Sequence, residues 1–157
     1  MSKLQTPFRY DFVGSFLRPQ VLKDAKAAYR DGKISKEEFD KVVDEEIIKV
    51  VAKQKELGFH AITDGEFRRT FWHLDFMWGL DGVAHENTGN GVKFDAELAV
   101  LDDTYLVGKI KAKAHPFVEY FKFLKQFEDE NTVAKYTIPA PAQTFQQMIV
   151  PDNIANT

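Results

Sequence analysis

A long amphipathic helix that runs through a glycine straight into a short apolar strand constrains this chain more than any other feature. Phe39, Val42, Val43, Ile47, Val50, Val51 and Leu57 recur at helical spacing as one stripe, and Gly58 closes it. Ser35-Lys36-Glu37-Glu38 opens it with the capping-box spacing. In that arrangement the serine oxygen accepts from the Glu38 N–H and the Glu38 side chain reaches back. Glu37 with Lys41, and Glu45 with Lys49, stand four apart in the favourable order on the solvated face. Phe59 to Thr63 follows at once, apolar and β-leaning, and reads as a strand.

The same alternation extends in both directions. Phe12-Val13 reads as a first strand, Gly14-Ser15 as a turn, and Pro19 as the start of a helix that Gly32 ends. After Phe59–Thr63, the aromatic segment from Thr70 to Gly79 reads as a short helix or compact loop. Residues 80–104, with Asn87, Gly89, Asn90 and Gly91, read as an excursion of turns or a hairpin. Tyr105–Ile110 is the expected third strand and Pro116–Phe127 a helix. Val133–Ile138 is a fourth strand stopped by Pro139-Ala140-Pro141, and Gln143–Ile149 opens another helix. Alternation of this kind implies an α/β fold with parallel strands and crossover connections.

About four βα units make the N-terminal half of a (β/α)8 barrel, which needs roughly 250 residues when closed. The expectation is one domain over residues 1–157, cut shortly after a helix has begun. An intact four-stranded α/β protein is the alternative.

Composition removes whole classes of function. With 157 residues, 44% hydrophobic and 29% charged, the chain can bury a core and is not of disordered type. A net charge of -3 gives no basic surface for nucleic acid or anionic membrane. There are no cysteines, so disulfides, thiolate catalysis and Cys-based zinc sites are excluded within the chain. Met1 to Pro7 lack a signal-peptide core, and no apolar run approaches the ~20 residues of a membrane span. A soluble, cytoplasmic protein is expected.

Two strand ends deliver polar groups, which is how an α/β barrel presents side chains to a small molecule. One is Gly14-Ser15 with Arg18; the other is Thr63-Asp64-Gly65-Glu66 followed by Arg68 and Arg69. Glu66 can receive a ligand ammonium or pair with Arg68 or Arg69. Ser15 can bind a ligand or cap the next helix, and the two roles can coexist. Asp64 can orient an arginine or touch substrate, and Arg18 fits an ion pair near the site mouth. Trp72, Phe76 and Trp78 are packing residues or a stacking surface. Of His60, His73, His85 and His115, none has close metal-ligand spacing, and only His73, beside Trp72, belongs near a pocket.

These residues together resemble the cobalamin-independent methionine synthase family, in its shorter single-barrel members. The resemblance is carried by Val13 to Pro19, the Gly32-Lys33-Ile34-Ser35 junction and Gln54 through Leu57-Gly58. It continues in Thr63-Asp64-Gly65-Glu66 with Arg68, Trp72 and Phe76, and in Lys135 to Pro141. It implies a TIM barrel that moves a methyl group from 5-methyltetrahydrofolate to the thiol of homocysteine, with zinc lowering the thiol pKa. By position, Gly14 and Ser15 match the turn that holds the amino acid's polar end, and Glu66 the carboxylate that takes its ammonium.

The family's long members carry His where Asp64 stands, and a tryptophan expected after the fourth strand is replaced near Gln146 or Gln147. Methyl donor and thiol therefore stay open. The family's zinc ligands fall in the second half of the barrel and map onto no residue of this chain. The resemblance implies a methyltransferase fragment, silent alone, that needs the C-terminal half-barrel. A non-catalytic half-barrel module that self-associates as a homo-oligomer is the rival expectation.

Overall fold

The computed structural model describes residues 11–89, 91–94, 97–100, 102–111 and 114–152. Asn90 and the last residues, Ile154 to Thr157, lie outside the described set. The chain packs as two compact units: residues 1–70 with 119–137, and residues 71–118 with 138–157.

The first unit is built on two helices. Helix α1 (Gln20–Arg30) starts behind Pro19, whose missing N–H costs nothing there, and ends at Gly32 with φ +69°. Helix α2 (Lys36–Glu56) carries both bonds of the capping box: Glu38 N–H to the Ser35 hydroxyl at 3.1 Å and Ser35 N–H to the Glu38 carboxylate at 2.7 Å. Lys49 reaches Glu46 rather than the expected Glu45. Gly58, at φ +79°, turns the chain into β1 (Ala61–Ile62).

The pairing partner of β1 is β6 (Val133–Ala134), parallel, with Ala61 opposite Val133 and Ile62 opposite Ala134. Leu22, Val43, Ile47, Val51, Ile62, Phe67, Leu124 and Ala134 form the core under this pair. Leu124 comes from α4 (Pro116–Lys125), whose residues from Glu119 onward belong to this unit.

Among the described residues Phe12-Val13 is not a ladder strand, which corrects the expectation. Extended backbone there is fixed by other means. Phe12 stacks on Phe59 at 4.1 Å between ring centroids, Lys135 bonds the Phe12 carbonyl at 2.6 Å, and Phe16 N–H donates to the Gly65 carbonyl at 3.1 Å.

The second unit holds α3 (Leu74–Trp78), β2 (Asp81–Glu86), β3 (Gly91–Phe94), β4 (Glu97–Val100), β5 (Asp103–Lys111), α5 (Pro141–Gln147) and β7 (Met148–Ile149). The excursion is a ribbon: β3 pairs antiparallel with β4, and β2 antiparallel with β5. The segment Tyr105–Ile110 was expected to be a parallel barrel strand; it lies in β5, which is parallel to β7, with Tyr105 opposite Ile149, but antiparallel to β2, with Ala84 opposite Tyr105. A parallel return needs a crossover of a dozen or more residues, usually helical, and the intervening chain is spent on the β3–β4 hairpin. Among the described residues, β7 is the parallel neighbour of β5. The architecture is α/β with parallel strand pairs and an antiparallel ribbon.

Candidate functional site

The first unit places one polar turn at the end of β1. Its base is a clamp from α2. Gln54, 2% exposed, donates to the Thr63 carbonyl at 2.8 Å and accepts from the Thr63 N–H at 2.9 Å. A single amide thus supplies both bonds that a neighbouring strand would have made.

Beyond the clamp the backbone turns sharply. Gly65 and Glu66 both have positive φ, +64° and +59°. At Gly65 a side chain is excluded twice over. The conformation disfavours it, and a Cβ would lie 3.1 Å from both the Phe16 and Phe67 rings. Glu66 has no such licence. A non-glycine residue held there stores roughly 1–2 kcal/mol, and strain of this kind concentrates at functional sites. Asp64 Oδ1 accepts from the Glu66 N–H at 2.9 Å and helps hold the turn.

Glu66 is 4% exposed and three donors converge on its carboxylate. The Ser15 hydroxyl donates to Oε2 at 2.5 Å, while the Thr137 hydroxyl at 2.8 Å and Arg69 Nη1 at 3.2 Å donate to Oε1. Arg69 is 1% exposed, gives its other terminal nitrogen to the Thr137 carbonyl at 2.6 Å, and lies over the Tyr136 ring at 4.7 Å. Arg18 binds the turn's backbone, donating to the Arg69 carbonyl at 2.9 Å and the Glu66 carbonyl at 3.3 Å. Of the two alternatives for Glu66, its ion pair is therefore with Arg69, while Arg68 pairs with Asp44.

Asp64 is 3% exposed, and burial pushes its carboxyl above the ordinary range despite the Glu66 N–H and the two arginines. Burial, followed by the Asp64 charge, also pushes the Tyr136 hydroxyl up.

Gly14, Ser15, Arg18, Asp64 and Glu66 are thus brought together in one unit. Ser15 does not cap α1, whose N-cap is Pro19. Arg18, expected to pair with an acidic side chain, binds main-chain carbonyls instead. Thr137 was missed by sequence reasoning. Its signal was available: it follows β6 as Glu66 follows β1, a polar residue past a strand end.

Trp72 and His73 belong to the second unit. Trp72 is 48% exposed, with its ring 4.4 Å from that of His73. His73 is buried, and burial lowers its pKa against the opposing pull of a Gln147 hydrogen bond. Phe76 and Trp78 face separate partners. Phe76 packs against His115 and Phe117, while Trp78 stacks on His85 at 3.9 Å and donates to Thr104. Among the described residues no three His, Asp or Glu side chains come together as a metal set, and no helix is long and apolar enough to cross a membrane.

The first unit thus ends its parallel strand β1 in a strained acidic turn that α2 clamps from below, an α/β arrangement. Residues 10–114 match the cobalamin-independent synthase catalytic domain, and the chain belongs to that family. The uncharacterized protein YxjH of Bacillus subtilis is 37% identical over 141 residues, 90% of this chain and 37% of its own length. The 5-methyltetrahydropteroyltriglutamate–homocysteine methyltransferase of Thermotoga petrophila is 38% identical over 77 residues, 49% of this chain and 10% of that enzyme. A crystal structure from Listeria monocytogenes, described as a candidate vitamin-B12 independent methionine synthase, superposes with a TM-score of 0.76 at 41% identity. It covers 92% of this chain and 40% of that one. The chain therefore spans under two-fifths of the length of YxjH.

Proposed function

We propose that this chain carries the amino-acid half of a methionine-synthase-like S-methyltransferase site, on the first βα units of a (β/α)8 barrel. The observation that carries the reading is Glu66: a buried carboxylate in strained backbone, whose exposed partner is the Ser15 hydroxyl. An α-ammonium group wants an anionic acceptor, and an α-carboxylate wants hydroxyl and N–H donors. Glu66 takes the first; Ser15 with the Gly14 turn takes the second. Arg69, Thr137 and Arg18 keep the receptor in place.

The substrate is then an amino-acid thiol such as homocysteine, and 5-methyltetrahydrofolate is the methyl donor by analogy with the named relatives. The described residues bring no three His, Asp or Glu side chains together and do not fit a zinc ion. Isolated, the 157-residue chain binds without turnover.

Titration calorimetry with homocysteine and methionine, on the parent and on Glu66→Gln, tests this. Binding by the parent that the folded variant loses supports the reading. Equal binding by both, or none by a folded parent, overturns it.

A second reading, a non-catalytic module that self-associates, is favoured by the exposure of Val13 at 84% and Leu17 at 92%. Sedimentation of the same chain separates the two: a monomer that binds the amino acid sinks the module reading.

A further inference from the structure

Three arginines stand at the Glu66 turn, and two of them have carboxylate partners: Arg68 pairs with Asp44 and Arg69 with Glu66. Arg18 has none among the described residues, and Met1 to Tyr10 contain no Asp or Glu that could supply one. Its guanidinium is half-buried and keeps its charge at any working pH. Nη2 is spent on the turn, donating to the Arg69 carbonyl at 2.9 Å and to the Glu66 carbonyl at 3.3 Å. Nε is shut in without a hydrogen-bond partner. Nη1 is neither shut in nor bonded among the described residues, so it is the nitrogen left to meet a ligand. The turn before Arg18 also leaves room. Gly14 stands at φ +89°, and a Cβ there would meet no heavy atom within 4 Å.

We infer that Arg18 makes this site specific for a ligand with a free carboxylate, receiving that group through Nη1. The inference rests on the reading of Glu66 as the ammonium acceptor and adds the opposite pole. Both poles attach to one residue. The carboxylate that Ser15 bonds is the Glu66 side chain, and the guanidinium sits on the Glu66 main-chain carbonyl. An α-amino acid likewise carries its ammonium and its carboxylate on one carbon. A cation taken partly out of water and held only by neutral carbonyls gains from an anion, because a hydrogen bond between charged groups is roughly twice as strong as a neutral one. Arg69 is not free for this role, since Glu66 and the Thr137 carbonyl hold it at 1% exposure. Ser15 and the Gly14 turn offer the same carboxylate neutral donors, which discriminate weakly between a charged and an uncharged group. A fixed cation discriminates strongly.

The test uses the full 157-residue chain and calorimetry with L-methionine and two cut-down probes. Methylthiopropylamine keeps the ammonium without the carboxylate, and N-acetyl-L-methionine keeps the carboxylate without the ammonium. The parent should bind methionine at least about tenfold more tightly than the amine, the worth of one hydrogen bond between charged groups. Arg18→Gln should shrink that ratio several-fold, and Arg18→Lys, which keeps the charge, should restore part of it. Circular dichroism checks that each variant folds, and the parent's own ratio stands as a test if one does not. A role confined to holding the turn weakens both ligands by the same factor; an unchanged ratio in folded Arg18→Gln therefore overturns the inference. Methionine and the amine binding the parent alike overturns it too, and leaves the Glu66 reading standing. If the folded parent binds neither, the Glu66 reading falls and N-acetylmethionine decides the inference alone. Binding of that probe which Arg18→Gln loses upholds it, and no binding overturns it.

Discussion

Replacing Glu66 by alanine should cost the first unit about 3 kcal/mol, the low end of what breaking a buried ion pair costs. The structure fixes the magnitude as follows. Arg69 is 1% exposed and its ion-pair partner among the described residues is Glu66. Truncation removes that carboxylate from a guanidinium in a dry site, where the Thr137 carbonyl, the Tyr136 ring and the neighbouring Asp64 charge remain. Alanine at φ +59° is as strained as glutamate, so no relief offsets the loss. Glycine in the same place relieves it, so Glu66→Gly should be about 1 kcal/mol more stable than Glu66→Ala. Glutamine keeps an acceptor oxygen and loses the charge, which places it between parent and alanine at about 2 kcal/mol.

For a chain of this size 1 kcal/mol shifts Tm by roughly 2–4 °C, so Glu66→Ala should melt on the order of 10 °C lower. Far-UV circular dichroism with urea is the assay, because α1 and α2, with 11 and 21 residues, supply most of the first unit's helical signal. Trp72 and Trp78 both lie in the second unit, so their fluorescence follows the other body. An alanine variant within about 0.5 kcal/mol of the parent would refute the ion-pair account. A glycine variant no better than alanine would refute the strain.

Two further outcomes follow from the same turn. Gln54→Leu keeps the volume but strips the Thr63 N–H and carbonyl of their partners, and should cost about 2–6 kcal/mol in urea unfolding at 1–3 kcal/mol per unsatisfied group. Asp64→Asn should stabilise the protein at neutral pH, because burial raises the Asp64 pKa above 3.8 while asparagine keeps the oxygen that accepts from Glu66 N–H. Here the folded state binds the proton more tightly than the unfolded one. The Asp64 contribution is thus fully favourable below pH 3.8 and is lost as pH rises through the folded value. The Tm difference between variant and parent should shrink as pH is lowered toward 3.8, and a variant less stable at neutral pH contradicts the sign.

The parts legible in the sequence are those set by local chemistry. The α2 stripe, its Ser35–Glu38 box and its Gly58 stop depend on residues within a turn of each other, and the structure has them except at the stripe's end, where Leu57 is the C-cap and lies exposed. The Asp64-Gly65-Glu66 turn was legible because glycine, an Asx turn and a strand end coincide there. The antiparallel pairing of β5 with β2 was not. Tyr105 would look the same beside either kind of neighbour; the β3–β4 hairpin, which has no helical crossover, sets the direction against β2, while β7 joins on in parallel. Phe12-Val13 has strand composition, yet ring packing on Phe59 takes the place of a ladder. Lys49 has Glu45 and Glu46 equally in reach at helical spacing, and no propensity chooses between them. Thr137 stayed hidden because its role depends on a partner 71 residues away.

The arrangement around Glu66 also says how a ligand ammonium would enter. Of the donors on the carboxylate, Arg69 is buried and Thr137 half-buried, whereas Ser15 belongs to an exposed residue. An incoming ammonium therefore competes with the Ser15 hydroxyl for Oε2 and leaves the Arg69–Thr137 side of the carboxylate intact. Exchange of one hydroxyl bond for one charge-assisted bond is a modest net gain, about 1 kcal/mol. Affinity from this turn alone is accordingly weak, and the rest must come from the groups that meet the ligand's other end. What the strained backbone and the buried arginine contribute is position. The acceptor is already fixed before the ligand arrives, so none of the binding energy is spent on ordering it.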